Sequence, residues 1–157
     1  MSTRDDEWAD EMHAAFMDMV GLFNRPEPDA AILQAAGVEL DRALFPLLSR
    51  IGIKAPISVV ELAAIAGKDH STVSRQVAKL ETLGLVRRVP SELDQRVRYL
   101  APTEAGDDII ARIRTARRKA IAGWAKDWDR AEREKFLETL KTIVRVGTEV
   151  VRETGDR

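Results

Sequence analysis

No cysteine occurs among the 157 residues. That excludes disulfides, thiolate zinc sites and cysteine-based peroxide sensing. Histidine is nearly as scarce: only His13 and His70, far apart in the chain. A metal centre built on several imidazoles is therefore not expected, and neither metal nor cofactor is assigned. No apolar run approaches about 18 residues, so no membrane span is expected. The opening MSTRDDEWADEM is acidic and has no apolar core, unlike a secretory signal. The expectation is a soluble, cytoplasmic chain. Carboxylates are plentiful, yet no glycine-rich phosphate loop, nucleophile elbow or metal constellation accompanies them. An enzyme is not expected.

The hydrophobic fraction of 45% supplies a core for one domain, or one domain with a helical extension. Net charge is −1, but its distribution is uneven. Residues 1–67 carry 5 basic and 11 acidic side chains, net −6. Residues 68–98 carry 7 and 4, net +3, and residues 99–157 carry 13 and 11, net +2. Local charge governs contact with phosphates, and the basic block lies mid-chain.

Asp5 to Phe23 shows helical periodicity through Trp8, Met12, Phe16, Met19 and Phe23. Arg25-Pro26-Glu27-Pro28 stops it. Asp29 to Ala36 suggests a short helix, ended by Gly37. Glu39 to Ile51 predicts another, with Pro46 marking a kink or a late start. Ser58-Val-Val-Glu61 is a capping box ahead of Val60 to Ala66, and the Ile57-Ser58 segment before it suits a short third strand. Gly67 ends that helix and Asp69 caps the next, over residues 70–83. Leu85 to Val89 and Arg96 to Ala101 predict two strands around a polar tip, Pro90 to Gln95. Pro102 is expected to end the ladder, with Thr103 capping the next helix. Two long helices close the chain. The first runs from Glu104 to Trp124, and the second opens with the capping pattern Asp129-Arg-Ala-Glu132.

This order of elements predicts a mainly α chain with a small β wing: a winged helix-turn-helix flanked by long helices. The expected divisions are residues 1–36 for an N-terminal helical dimerisation segment, 37–102 for the DNA-binding domain and 103–157 for C-terminal dimerisation helices. Within residues 70–83, Val73, Val77 and Leu80 fall on one side at 100° per residue, while Ser71, Arg75 and Thr82 fall on the other. Such a helix enters a major groove N-terminus first. Ser71 and Thr72 suit base edges and Arg75 suits guanine. Gln76 suits adenine or a phosphate, Lys79 a phosphate, and His70 a phosphate at the first turn. On the wing, Arg96 and Arg98 are two apart and share a strand face, placed for an adjacent minor groove. Arg87 and Arg88 point to opposite faces, so at most one serves DNA. The alternative is a winged helix used for protein interaction, which a neutral or acidic wing face would favour.

The text DHSTVSRQVAKLETLGLVRR, the wing residues Asp94-Gln95-Arg96 and the Thr103-Glu-Ala-Gly106 entry resemble the MarR (multiple antibiotic resistance regulator) family. The family pattern is Asp-x-Arg followed by Leu-Thr-x-x-Gly, with Pro102 standing here where leucine would be. The motifs cover residues 57–106. The resemblance implies a ligand-responsive repressor that binds pseudo-palindromic operator DNA as a homodimer. The N-terminal helix and the two C-terminal helices would interleave, and a small aromatic or lipophilic effector would bind between the dimerisation and DNA-binding parts. Two recognition helices would then sit about one DNA turn apart.

For that effector, Met12, Phe16 and Met19 with Leu44, Leu47 and Leu48 could line an apolar pocket, and His13 could anchor it. Phe16, Leu44, Leu47 and His13 are the leading candidates, against ordinary core packing for stripes at this spacing. Trp8, Trp124 and Trp128 suit interface anchors. The basic residues Arg112, Arg114, Arg117, Arg118 and Lys119 spread around their helix and suit a solvated face, although Arg112 or Arg118 could meet a phosphate or a partner's acidic group.

Overall fold

The computed structural model describes residues 3–91 and 97–155. In chain order the elements are α1 (Thr3–Phe23), α2 (Pro26–Ala36), α3 (Phe45–Lys54), β1 (Ile57–Ser58), α4 (Val59–Ala66), α5 (His70–Thr82), β2 (Val86–Pro90), β3 (Arg98–Pro102), α6 (Glu104–Trp124) and α7 (Arg130–Gly155). The chain forms two compact units, Met1–Arg117 and Arg118–Arg157, so the division falls within α6.

Proline departs from expectation at two places and meets it at a third. Pro26 does not merely stop α1; it opens α2, where a fixed φ suits the first turn and the missing N–H costs no bond. Pro46 gives the late start that the sequence allowed: it sits in the first turn of α3, which starts at Phe45 rather than Glu39 and runs on to Lys54. Pro102 does not stand outside the ladder. It pairs with Val86 as the end rung, where no further N–H is needed.

The caps follow the sequence closely. The Ser58 hydroxyl accepts from the Glu61 N–H at 3.2 Å, and the Glu61 carboxylate accepts from the Ser58 N–H at 2.9 Å. The Ser58 N–H and then its hydroxyl lower the Glu61 pKa. That depressed folded-state value stabilises the fold above the ordinary glutamate range, and the contribution fades as pH falls through it. Gly37 and Gly67 end α2 and α4 with φ of 62° and 61°, in the left-handed region that glycine enters without a Cβ penalty.

In the first unit the sheet order is β1-β3-β2, all antiparallel, with Ile57 opposite Leu100 and Arg88 opposite Leu100 on the other side. Its core joins Leu47, Leu48 and Ile51 of α3, Leu62 of α4, Val73, Val77 and Leu80 of α5, and Leu100 of β3. Each such burial contributes about 1.5–3 kcal/mol. A smaller cluster, Leu33, Val38, Phe45 and Ile113, ties α2 to α6. Arg112 strengthens this tie by donating to the carbonyls of Ala36 (3.1 Å) and Gly37, the C-terminal end of α2. It also pairs with Asp108. Its guanidinium is thus occupied within the fold, where the sequence suggested a solvated side chain or one meeting a phosphate or a partner's acidic group. Arg117 stacks over Phe45, 5.7 Å from the ring centroid, and donates to Ser49.

In the second unit α7 caps itself as the sequence predicts: the Asp129 N–H donates to Glu132 and the Glu132 N–H to Asp129, both at 2.8 Å. Trp128 and Phe136 meet edge to face with centroids 5.0 Å apart. Arg133 donates to the Ala125 carbonyl just past the end of α6. Among the described residues of α7 none is buried, although Phe136, Leu137, Ile143, Val144, Val150 and Val151 are apolar and exposed.

Candidate nucleic-acid interface

The second helix of the helix-turn-helix is held from one side. Val73, Val77 and Leu80 are fully enclosed by α3, α4 and the sheet. That spine fixes the rotation of α5, so His70, Ser71, Arg75 and Lys79 lie exposed on the opposite side, with Thr72 and Gln76 half-buried between. The turn before it is short: Gly67 closes α4 and Asp69 caps α5.

Hydrogen bonds order the exposed first turn. One oxygen of Asp69, Oδ1, accepts from the Thr72 N–H at 2.8 Å and from the Ser71 hydroxyl at 2.6 Å. The Ser71 hydroxyl, followed by the Thr72 donors, holds the Asp69 carboxyl far below the usual carboxylate range. Arg75 donates through one nitrogen to the Thr72 hydroxyl at 3.3 Å. The rest of its guanidinium fork is available for a bidentate acceptor such as guanine. The Gln76 side-chain oxygen is buried with no hydrogen-bond partner among the described residues, so the side chain does not stand out from the helix as a free flank reader.

The wing is anchored to this helix by charge. Arg88 on β2 makes a two-pronged contact to Glu81 near the end of α5, at 2.9 and 3.2 Å. That occupies Arg88 and leaves Arg87, exposed on the other face, as the β2 cation directed at solvent. No sequence spacing announces the Glu81–Arg88 pair, because it crosses from a helix to a strand. Arg98 is exposed on β3 opposite Pro90. Arg96, together with the tip residues Asp94 and Gln95, lies outside the described residues.

The candidate effector residues are not brought together as a pocket. Leu44 and Leu47 are buried in the core, His13 is exposed on α1 and Phe16 is half-buried. Clefts open elsewhere among the described residues, and none of these four residues lines the ones described below. One polar cleft of about 490 Å³ lies between the α1–α2 turn, the start of α3 and the helix-turn-helix turn. Phe23, Asn24, Asp29, Asp41, Arg42 and Lys68 line it. Arg42 is tied to Asp29 and to the Asn24 carbonyl. Asp41 accepts from the Ala43 N–H. Lys68 has no ion pair among the described residues. Within the second unit, an apolar groove of about 580 Å³ runs along Ile121, Trp124, Trp128, Phe136, Leu137 and Leu140. Among the described residues no cluster of three or more metal-ligating side chains occurs, and no helix is long and apolar enough to cross a membrane.

Residues 40–97 match the sequence model of the MarR family. The uncharacterized HTH-type transcriptional regulator YxaD of Bacillus subtilis (strain 168) is 32% identical over 104 residues, which span 66% of this chain and 73% of that protein. Among solved structures, a protein from Listeria monocytogenes in complex with a 26mer DNA is similar, with a TM-score of 0.71 and 22% identity. That likeness covers 85% of this chain and 89% of the other. A MarR family protein from Bacillus stearothermophilus gives a TM-score of 0.69 at 20% identity, over 94% and 99% of the two chains. At these identities the solved structures speak for the fold: a winged helix with long flanking helices.

Proposed function

Because the chain belongs to the MarR family of transcriptional regulators, we propose that it represses transcription by binding pseudo-palindromic operator DNA as a homodimer, under control of a small effector. The carrying observation is the exposed face of α5. Hydroxyls at its N-terminal turn and the cations Arg75 and Lys79 beyond are set on a fully buried Val73-Val77-Leu80 spine, beside a basic wing. Arg75 reads a base, Ser71 and Thr72 read edges, His70 and Lys79 hold phosphates, and Arg98 with Arg96 carries the wing contact.

The homodimer is supported by the apolar residues left in water. On α7, residues 136, 143 and 150 and residues 137, 144 and 151 form two rows with a seven-residue repeat, flanking Leu140 and Gly147. A seam of that period calls for a second helix. Trp8, Met12 and Phe23 leave a comparable stripe exposed on α1.

For the effector, the polar cleft offers an aromatic face in Phe23 and, in Lys68, a cation that no carboxylate among the described residues holds. This suits a small aromatic acid. Lys68 belongs to the turn between α4 and α5, so occupancy would act on the recognition helix directly. In a thermal-shift screen of aromatic carboxylates, a binder should raise the melting temperature of the wild type, and Lys68→Ala should abolish most of the rise. An unchanged rise in Lys68→Ala would place the effector elsewhere.

Fluorescence anisotropy with DNA from upstream of the encoding gene, against scrambled DNA at physiological salt, tests the operator reading. Tight binding that survives scrambled competitor supports it; no binding to either DNA at low salt moves the winged helix to a protein-interaction role. Arg75→Ala should relax preference at one base position, costing about 1–3 kcal/mol of discrimination. Lys79→Ala should weaken all sequences alike and reduce the salt slope by about 1. Equal effects of both substitutions on every sequence would remove Arg75 from base reading.

A further inference from the structure

Asp69 is legible in the sequence only as a helix cap, yet its side chain does more than cap. Ser71 carries a single hydroxyl proton. That proton is committed to Asp69 Oδ1 at 2.6 Å, a short contact of the charge-assisted kind. The Thr72 N–H is committed to the same oxygen. Both Asp69 and Ser71 are exposed at the leading end of α5. The side-chain edge they present therefore has lone pairs on Ser71 Oγ and on the second Asp69 oxygen, and no proton to give. Because the carboxyl is held well below its ordinary range, it stays ionised at any working pH.

A serine hydroxyl is usually an ambiguous reader, able to donate to guanine or thymine and to accept from adenine or cytosine. Here the ambiguity is removed. An anionic edge that only accepts is repelled by phosphate and by the guanine O6 and N7 and thymine O4 acceptors. It is complementary to exocyclic amino groups: N4 of cytosine and N6 of adenine. Arg75, one helical turn further on, has the opposite character, with donors only.

We propose that Asp69 and Ser71 together form a specificity-determining pair that restricts one base position in each half-site to cytosine or adenine, read through its major-groove amino group. This rests on the operator-binding reading and adds to it which base class the leading turn accepts.

The test uses the full chain. Selection from randomised duplex DNA gives the preferred site. Anisotropy then compares duplexes in which the candidate cytosine is replaced by 2-pyrimidinone, or the adenine by purine, so that only the amino group is lost. Wild type should lose affinity on the order of tenfold, while Ser71→Ala should be nearly indifferent to the same change. Asp69→Ser keeps an oxygen for the Thr72 N–H but frees the Ser71 proton. It should gain tolerance of guanine or thymine at that position, a gain that a merely structural role would not produce. Circular dichroism melts check that both variants fold. A selected site with no position confined to cytosine or adenine overturns the pair, as does an amino-deletion penalty that is the same in Ser71→Ala as in wild type. Either result leaves operator binding standing. Selection that yields no site at all removes the operator reading itself, and the pair with it.

Discussion

Gly106→Ala should destabilise the protein by about 3 kcal/mol or more, lowering its melting temperature by roughly 5–10 °C. A Cβ at this position would stand 2.0 Å from the Leu85 carbonyl oxygen and 3.0 Å from its carbon. The obstacle is backbone, so no side chain can rotate out of the way. The backbone is also committed: the Leu85 carbonyl accepts from the Thr103 N–H at 3.1 Å. Thr103 in turn accepts from the Gly106 N–H at 3.0 Å and donates to the Gly84 carbonyl. Accommodating one methyl group would open the joint where α5 ends, β2 begins and α6 starts. The wing hangs on that joint, so operator affinity should fall with stability. Gly123→Ala is the matched control. Nothing lies within 4 Å of a Cβ there, and the change should stabilise by about 0.5–1 kcal/mol. Urea unfolding of both variants checks the pair. Equal, small effects would mean that the α6 entry has slack that the packing does not suggest.

If the proposed homodimer forms through α7, Val144→Glu combined with Val151→Glu should convert it into a monomer and cut operator affinity by about 100-fold or more. These valines are 67% and 70% exposed in the single chain, seven residues apart on the same face of α7. Water already reaches them, so the single chain should tolerate the charges with little change in helix content. In a dimer the same carboxylates would be buried without partners, at a cost of several kcal/mol. In the proposed dimer, affinity would follow from geometry: two linked recognition helices would meet a two-fold operator with the second contact made at high effective concentration, and a monomer would lose that contact. Light scattering gives the mass and anisotropy gives the affinity. A double variant that stays dimeric would assign the seam to another role. A monomer that binds its operator as tightly as wild type would separate dimerisation from recognition.

Much of the DNA-binding unit is legible in the sequence because its signals are local. The Ser58 capping box, the glycine stops at Gly37 and Gly67 and the Asp69 cap each act within about one helical turn. The inward set Val73, Val77 and Leu80 follows from helical period alone, and all three are fully buried. Proline misleads at Pro26 and Pro102 because the same fixed φ and missing N–H that end one element also suit the first turn of the next helix, or the end rung of a ladder.

Contacts across long sequence separations are not legible in this way. Arg112 holds the end of α2 from 75 residues away, and no spacing rule distinguishes it from its basic neighbours on α6. By pattern Leu44 and Leu47 suit a core more readily than a ligand pocket, since an apolar stripe records only that a face avoids water. Tertiary packing put them inside. Local pattern determined the order of the elements, their caps and which face of α5 stays free, because helical period and end-capping are properties of neighbouring residues. Which arginines are occupied and where the clefts open were decided only by folding, because those depend on partners that the chain brings together from different elements.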